Sequence, residues 1–340
     1  MQSQSNSIDI NSLVSNINTD DLFTCICHYD LDVQLQLMTM LYQPYMEPNL
    51  INYMEYIFGL SADFKQLENL TQVTEQIIKK INPVAWEKIF PIVKLSLGSV
   101  KFSTKLLGLK VISQFATIHR EVAAQFMPEI IAQLIGVASD PKPQVKAQVG
   151  LTFADQVNTI DNVDVKHLFP VVISAYTTPA ENTQKALDAL IATPFVNDVD
   201  IPTMGFLVPL LTRSMREKKM VYQRRAAVVI QTLCKLLKNP VYAKPFYPVL
   251  EPVLTRGHDE IADPEIRQVC LNSLEVLNRV HEQGVNKILE SYTEAQCVEQ
   301  INKIVSAYGF DGTNELVSYV ADLVFTLVKH ENKDRADWTN

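Results

Sequence analysis

Apolar residues return along this chain in a helical rhythm, and one short phrase marks where the rhythm restarts. Two bulky residues, a proline, any residue and an apolar residue appear as IFPIV from Ile89, FMPEI from Phe126, LFPVV from Leu168, LVPLL from Leu207 and FYPVL from Phe246. Proline fits the first turn of a helix, where its missing N–H would have no partner and its φ is already helical. Each phrase is therefore read as the start of a helix, with its apolar flanks opening the buried stripe. A second helix is expected after a short turn. From Phe126 the chain reads FMPEIIAQLIGVAS, then DPKPQ, then VKAQVGLTFADQV, which predicts Asp140 as the cap of the new helix and Pro141 in its first turn. ADPEIRQVCLNSLEVLNRV repeats the device with Asp263 and Pro264. Between 221 and 238, at about 100° per residue with Arg224 at zero, Gln231, Lys235 and Lys238 fall within about 40°, and Ala226, Ile230, Leu233 and Leu237 at about 180° to 240°. That helix should bury one stripe and present a basic one.

The five prolines, at 91, 128, 170, 209 and 248, are separated by 37, 42, 39 and 39 residues. Intervals near 40 fall in the range of HEAT or armadillo arrays, which stack pairs of antiparallel helices. The expected fold is all-α, a HEAT-repeat right-handed α-solenoid of antiparallel helix pairs. Residues 82–282 are read as five HEAT repeats. Residues 1–81 are read as divergent N-terminal helical repeats or a cap, because LDVQLQLMTMLY and NLINYMEYIFGL have helical spacing, Pro44 and Pro48 punctuate them, and terminal repeats are atypical. Residues 283–340 are read as a C-terminal helical cap and polar tail, with CVEQINKIVSAYGF and ELVSYVADLVFTLVKH split by Asp311-Gly312 ahead of ENKDRADWTN.

Composition agrees with helices. Ten glycines in 340 residues are few for architectures that need glycine at tight turns, and a chain that is 47% hydrophobic and 20% charged can build a large core. No apolar run reaches the roughly 18 residues of a spanning helix, and the opening MQSQSNSIDINS lacks a basic-then-apolar form, so a cytoplasmic protein without a membrane partner is expected. The cysteines at 25, 27, 234, 270 and 297 are odd in number and follow no staple pattern, which favours buried free thiols. CICH at 25–28 has no second Cys or His pair at zinc spacing, so no metal is expected.

Nor does catalytic machinery stand out. The chain has no G-x-x-x-x-G-K-[ST] or G-x-G-x-x-G loop, no G-x-S-x-G elbow and no H-E-x-x-H, and its six histidines are scattered singly. No catalytic residue, cofactor or nucleotide partner is expected, and the default for such an array is a binding surface. The net charge of -8 hides a polarised layout: residues 1–100 carry five Lys, no Arg and eleven acids, whereas residues 211–240 carry eight Lys or Arg and one acid. Arg213, Arg216, Lys218, Lys219, Arg224, Arg225, Lys235 and Lys238 are therefore the candidate site. They are either a solvated face that keeps the array soluble or a phosphate-contacting surface. Tyr222 is the only aromatic among them, so a nucleic acid bound here is expected to be structured and read through its backbone.

The run VPLLTRSMREKKMVYQRRAAVVIQTLCKLLKNPVYAKPF from Val208, followed by IADPEIRQV from Ile261, resembles the HEAT region of fungal-type translation elongation factor 3. It is also similar to a block of the large general-control translational activator that senses stalled ribosomes. MPEIIAQLI from Met127, DNVDVKHLFPVVI from Asp161 and TPFVNDV from Thr193 resemble preceding parts of that region in the same order, and the resemblance covers about 85 to 282. It implies ribosome contact by a HEAT arm near the head of the small subunit, with ATP-driven work by two downstream ABC cassettes that this sequence does not contain. Arg224 and Arg225, with Lys235 inside CKLL, match the family block most directly. The chain departs at GVASDPKPQ, where the family has a tryptophan-containing helix end and a lysine-rich turn. The resulting expectation is a non-enzymatic module that docks on the ribosome, through rRNA phosphates or ribosomal proteins. The alternatives are a scaffold that binds a peptide or helix in a concave groove and an enzyme, which would need strongly shifted titratable groups in one cleft.

Overall fold

A computed structural model describes residues 33–34, 36–37, 47–291 and 321, excepting the side chains of 48–49 and 285–291. The readings of CICH, of most of LDVQLQLMTMLY and of the segments beyond Ser291 fall outside those residues. The described chain is all-α. Its helices are α1 (Glu47–Leu60), α2 (Leu67–Lys80), α3 (Trp86–Leu97), α4 (Phe102–Ile118), α5 (Arg120–Gln125), α6 (Met127–Val137) and α7 (Pro143–Val157), followed by α8 (Phe169–Thr177), α9 (Pro179–Ala192), α10 (Ile201–Ser214), α11 (Met220–Lys235), α12 (Tyr247–Glu260) and α13 (Pro264–Ser291). The only β feature among the described residues is an isolated parallel bridge between Val199 and Leu237.

The described residues form two compact units that divide between Gln114 and Phe115. In the first, α1 packs on α2 and α3 around Leu50, Met54, Ile57, Trp86, Ile89 and Val93, all buried. The Glu47 carboxylate accepts a hydrogen bond from the Asn82 backbone N–H at 2.9 Å, and Asn82 in turn caps the 3-10 turn Pro83–Ala85 that leads into α3. A Cβ on Gly108 would collide with the Ser96 side chain, so glycine permits α4 to lie close on α3.

The second unit pairs α6 with α7, α8 with α9, and α12 with α13, while α10 adjoins α11. At nine residues α8 is short, and α10 also packs directly on α6. Gly205 is the point of closest approach, where an added Cβ would lie 2.9 Å from the backbone nitrogen of Pro128. Rings of Phe153, Phe169, Tyr176 and Phe206 fill the core beside this crossing, with Tyr176 and Phe206 edge to face at 6.1 Å. The buried Tyr176 hydroxyl donates to the Phe206 carbonyl at 2.5 Å, and burial pushes that phenol well above its ordinary range.

The proline of each of the five phrases falls in a helix, but not always in its first turn. Pro128, Pro170 and Pro248 are there, whereas Pro91 and Pro209 sit inside α3 and α10. In both exceptions a cap exists upstream: the Asn82-capped turn precedes α3, and the Asp200 carboxylate accepts the Thr203 N–H at 3.0 Å ahead of α10. The helix starts where orphan N–H groups are satisfied, and the later proline is tolerated at the cost of one helical hydrogen bond.

Two further expectations shift. Asp263 caps α13 as expected, accepting the N–H of Glu265 at 2.8 Å with Pro264 as the first helical residue. Asp140 does not cap α7. It accepts the Lys142 N–H at 2.9 Å, and the helix begins at Pro143 behind an extended Lys142. The second proline explains this, because a residue before proline is driven out of the α region. The basic helix also ends earlier than its periodicity predicts. Leu236 caps α11, and Lys238 donates its N–H to the Val199 carbonyl at 2.9 Å while Val199 donates to Leu236 at 2.8 Å. Val199 captures the chain into the bridge, so Leu237 and Lys238 leave the helical wheel.

Glycines in α7 and α10 should separate packing from backbone freedom. Gly205→Ala should destabilise the fold by about 1–3 kcal/mol through overpacking, whereas Gly150→Ala, where a Cβ meets nothing within 4 Å, should stabilise it by about 0.5–1 kcal/mol. Urea unfolding midpoints of the two variants check the opposite signs.

Candidate functional site

The basic residues are built around α11, which packs against α9 on one side and α13 on the other. Ala226, Ala227, Ile230 and Leu233 are buried beneath it. At its start, the Ser214 hydroxyl donates to the Tyr222 carbonyl at 3.0 Å, and the Lys219 ammonium lies 5.4 Å from the Tyr222 ring centroid. Burial and the nearby Asp188 carboxylate raise the Tyr222 phenol above its usual range.

The eight candidate residues do not form one equivalent cluster. Arg213, half-buried at the end of α10, donates to the Ala175 carbonyl at 2.9 Å and the Thr183 hydroxyl at 3.3 Å, tying α10 to α8 and α9. Arg224 reaches sideways to α13, where its Nε and Nη2 donate to Oε1 of Glu265 at 3.0 and 2.6 Å. Gln231, on the same flank of the wheel, donates to the Asn272 carbonyl at 3.3 Å. The flank taken from the sequence as the basic face is thus partly the seam with α13. Arg216, Lys218, Lys219, Arg225, Lys235 and Lys238 are exposed. Among the described residues no carboxylate ion-pairs with Arg216, Lys218, Lys219, Arg225 or Lys235. Arg216, Lys218 and Lys219 surround the turn into α11, while Lys235 lies about 15 Å along the axis from Arg225.

Outward on α11 the stripe is Val221, Arg225, Val228, Thr232 and Lys235, all within about 40° of Val221 on the wheel. Val221 is 62% exposed, Val228 38%, and the neighbouring Met220 50%. Sequence reasoning centred the wheel on Arg224 and missed these apolar members. Centring it on Arg225 would have found them.

The phrases that looked familiar in sequence meet in space as ties between repeats. Asp164 of DNVDVKHLFP accepts the N–H groups of Val196 and Asn197 in TPFVNDV, each at 2.8 Å. Asn162 donates to the Asp198 carbonyl at 2.9 Å, and a His167 ring nitrogen lies 2.9 Å from the Thr193 hydroxyl. Burial works against ionisation of Asp164, but the hydrogen bonds from Asn197 and Val196 outweigh it and hold the carboxyl below its ordinary range. Cys234 and Cys270 are buried free thiols, pushed by burial up to about 12 and about 11, and therefore unreactive as thiolates at neutral pH. Cys25, Cys27 and Cys297 lie outside the described residues. No group of three or more metal-ligating side chains occurs among the described residues, and no described helix is long and apolar enough to cross a membrane.

Packed helix pairs and polar ties about one repeat apart define a HEAT-repeat module. Residues 33–152 match the family described as EF3 N-terminal HEAT repeat, and residues 181–287 match Elongation factor 3/GNC1 HEAT repeat. These residues form an elongation factor 3-like HEAT-repeat region. The chain is 31% identical to Elongation factor 3 of Candida glabrata over 303 residues, covering 87% of this chain and 29% of that protein. Against Elongation factor 3B of Saccharomyces cerevisiae it is 31% identical over 279 residues, covering 79% of this chain and 26% of that one. The chain thus spans less than a third of either relative. A crystal structure of Kap121p aligns over 96% of this chain and 34% of its own at 16% identity and a TM-score of 0.37. The first family match starts at residue 33, well before the part of the chain where the familiar phrases are legible by eye.

The cations should differ in what they do for folding. Arg213→Ala should cost about 1–3 kcal/mol because it leaves a carbonyl and a hydroxyl without their charged donor, Arg224→Ala under about 1 kcal/mol as an exposed pair, and Arg225→Ala close to nothing. Denaturant titrations of the three variants check that order. Asp164→Asn should also lower the unfolding midpoint at neutral pH. A carboxyl whose pKa is depressed by folding adds stability above its unfolded pKa and loses it as pH falls toward the folded value. The gap between variant and parent should therefore narrow on acidification below about pH 4, as thermal melts across pH would record.

Proposed function

We propose that this HEAT region is a non-enzymatic module that docks on the ribosome in the cytoplasm, through rRNA phosphates or an acidic ribosomal-protein surface. The observation that carries the reading is the set Arg216, Lys218, Lys219, Arg225 and Lys235: exposed, without carboxylate partners among the described residues, and carried by α11 and the short turn before it in a chain of net charge -8. Similarity to relatives named elongation factors directs the reading to translation. The working organisation is five repeats over residues 82–282, divergent helical repeats before them and a cap after them. Docking would be rigid. Arg225 and Lys235 are held on a packed helix and the other three cations in a five-residue turn between two helices, which limits the backbone ordering entropy lost when they meet an anionic surface.

Purified chain should co-sediment with ribosomes from its own source without nucleotide. If about four phosphates are neutralised, affinity should fall roughly a hundredfold between 50 and 200 mM salt. The informative variant is R216E/K218E/K219E/R225E, because reversing Arg224 would also place a second carboxylate against Glu265. Loss of co-sedimentation with an unchanged melting curve supports the site. Undiminished co-sedimentation by the folded variant rejects the site, and no binding by the parent chain rejects ribosome docking.

A further inference from the structure

The outward stripe of α11 has a chemistry that phosphate recognition does not use. Val221 and Val228 stand seven residues apart, about 10.5 Å along the axis, with Arg225 between them and Lys235 beyond. Met220, Lys218 and Lys219 extend the same mixture at the helix start, where Met220 is half-exposed and both lysines are exposed. A phosphate backbone rewards the cations and gains little from covering valines, and single-stranded bases would need aromatic platforms that this stripe lacks. Apolar residues two turns apart with charges between them match the anchor spacing of a second helix laid along the first.

We propose that the outward stripe of α11 docks an acidic amphipathic helix of a protein partner. This rests on the docking role proposed above and names the partner class for part of the same surface. The partner's apolar residues would cover Val221 and Val228 at i and i+7, and its Asp or Glu residues would lie against Arg225 and Lys235. Charge complementarity argues for an acidic partner, since Arg216, Lys218, Lys219, Arg225 and Lys235 are exposed and no carboxylate among the described residues pairs with them. The borders also fix its direction. Asp188 of α9 lies on one side, close to Tyr222, and Glu265 of α13 on the other, already paired with Arg224. An acidic row that strayed over either border would meet a carboxylate, so the partner is held along α11 rather than across it.

The test uses the full chain and a labelled synthetic helix about four turns long, with leucines in one i, i+3/i+4, i+7 stripe and glutamates beside them. A second peptide has the leucines replaced by serine at the same charge, and a structured RNA hairpin is the third probe. Fluorescence anisotropy should show the leucine peptide binding, about tenfold weaker binding after V221S/V228S or with the serine peptide, and further loss with R225Q/K235Q. Hairpin binding should not change in V221S/V228S. All substituted positions are on the outward stripe, and unchanged thermal melts exclude misfolding as the cause. No binding of the leucine peptide, equal binding of the two peptides, or indifference to V221S/V228S each overturns the proposal; hairpin binding with no peptide binding would assign the surface to RNA instead. Because no ribosome is present, peptide binding without ribosome co-sedimentation removes the ribosome and keeps the surface, whereas co-sedimentation without peptide binding does the reverse.

Discussion

Side chains about one repeat away tie the helices and loops of this helical array together by bonding to backbone groups. Gln114 donates to the Thr71 carbonyl in the first unit; in the second, Arg120 donates to Asn158, Arg213 to Ala175, and Asp164 accepts from Val196 and Asn197. Each tie is worth about 1 kcal/mol net, while burying one leucine or phenylalanine contributes about 1.5–3 kcal/mol. Burial therefore supplies most of the stability, and the ties decide register. An apolar stripe tolerates sliding by a turn; a carboxylate that must meet two particular N–H groups does not.

That division of labour determines which polar residues are free for a partner. Arg213 and Arg224 look on paper like members of a basic patch, yet one holds the end of α10 and the other the seam with α13. Arg225 differs from Arg224 by one position and 100° of helix rotation, which takes it from the seam to the crest. A helix packed between two neighbours has only a narrow crest left, and on α11 that crest is Val221, Arg225, Val228, Thr232 and Lys235. Surface charge read from sequence is therefore an upper bound on usable charge in a stacked array.

Much of the fold was legible because it is periodic. Each of the five prolines near 40-residue spacing falls inside a helix, and Asp263-Pro264 marked the start of α13 correctly. Local competition caused the misses. Pro143 displaced the helix start from Pro141 by forcing Lys142 into an extended conformation, and Asn82 and Asp200 offered caps that left Pro91 and Pro209 inside their helices. Lys238 left the helix because Val199, 39 residues upstream in sequence, supplied both halves of a bridge. Such a partner cannot be read from a window around Lys238. The site was less legible than the fold for the same reason: whether an arginine is tie or contact depends on what lies one repeat away.

The familiar phrases carry a related lesson. DNVDVKHLFP and TPFVNDV bind each other, and RRAAVV and ADPEIR meet through Arg224 and Glu265. Gly284 lies so close to Pro240 of KNPVYAKPF that a Cβ there would sit 2.7 Å from the proline carbonyl oxygen. In each case the two halves of a contact constrain one another, and each constraint is structural. The outward crest of α11 is under no such constraint, since replacing Val221 or Val228 by a polar residue would leave no buried group unsatisfied and no cavity. Solubility alone would favour polar side chains there. The two exposed valines at helical spacing are therefore free to serve the docking proposed above without cost to the packing beneath them.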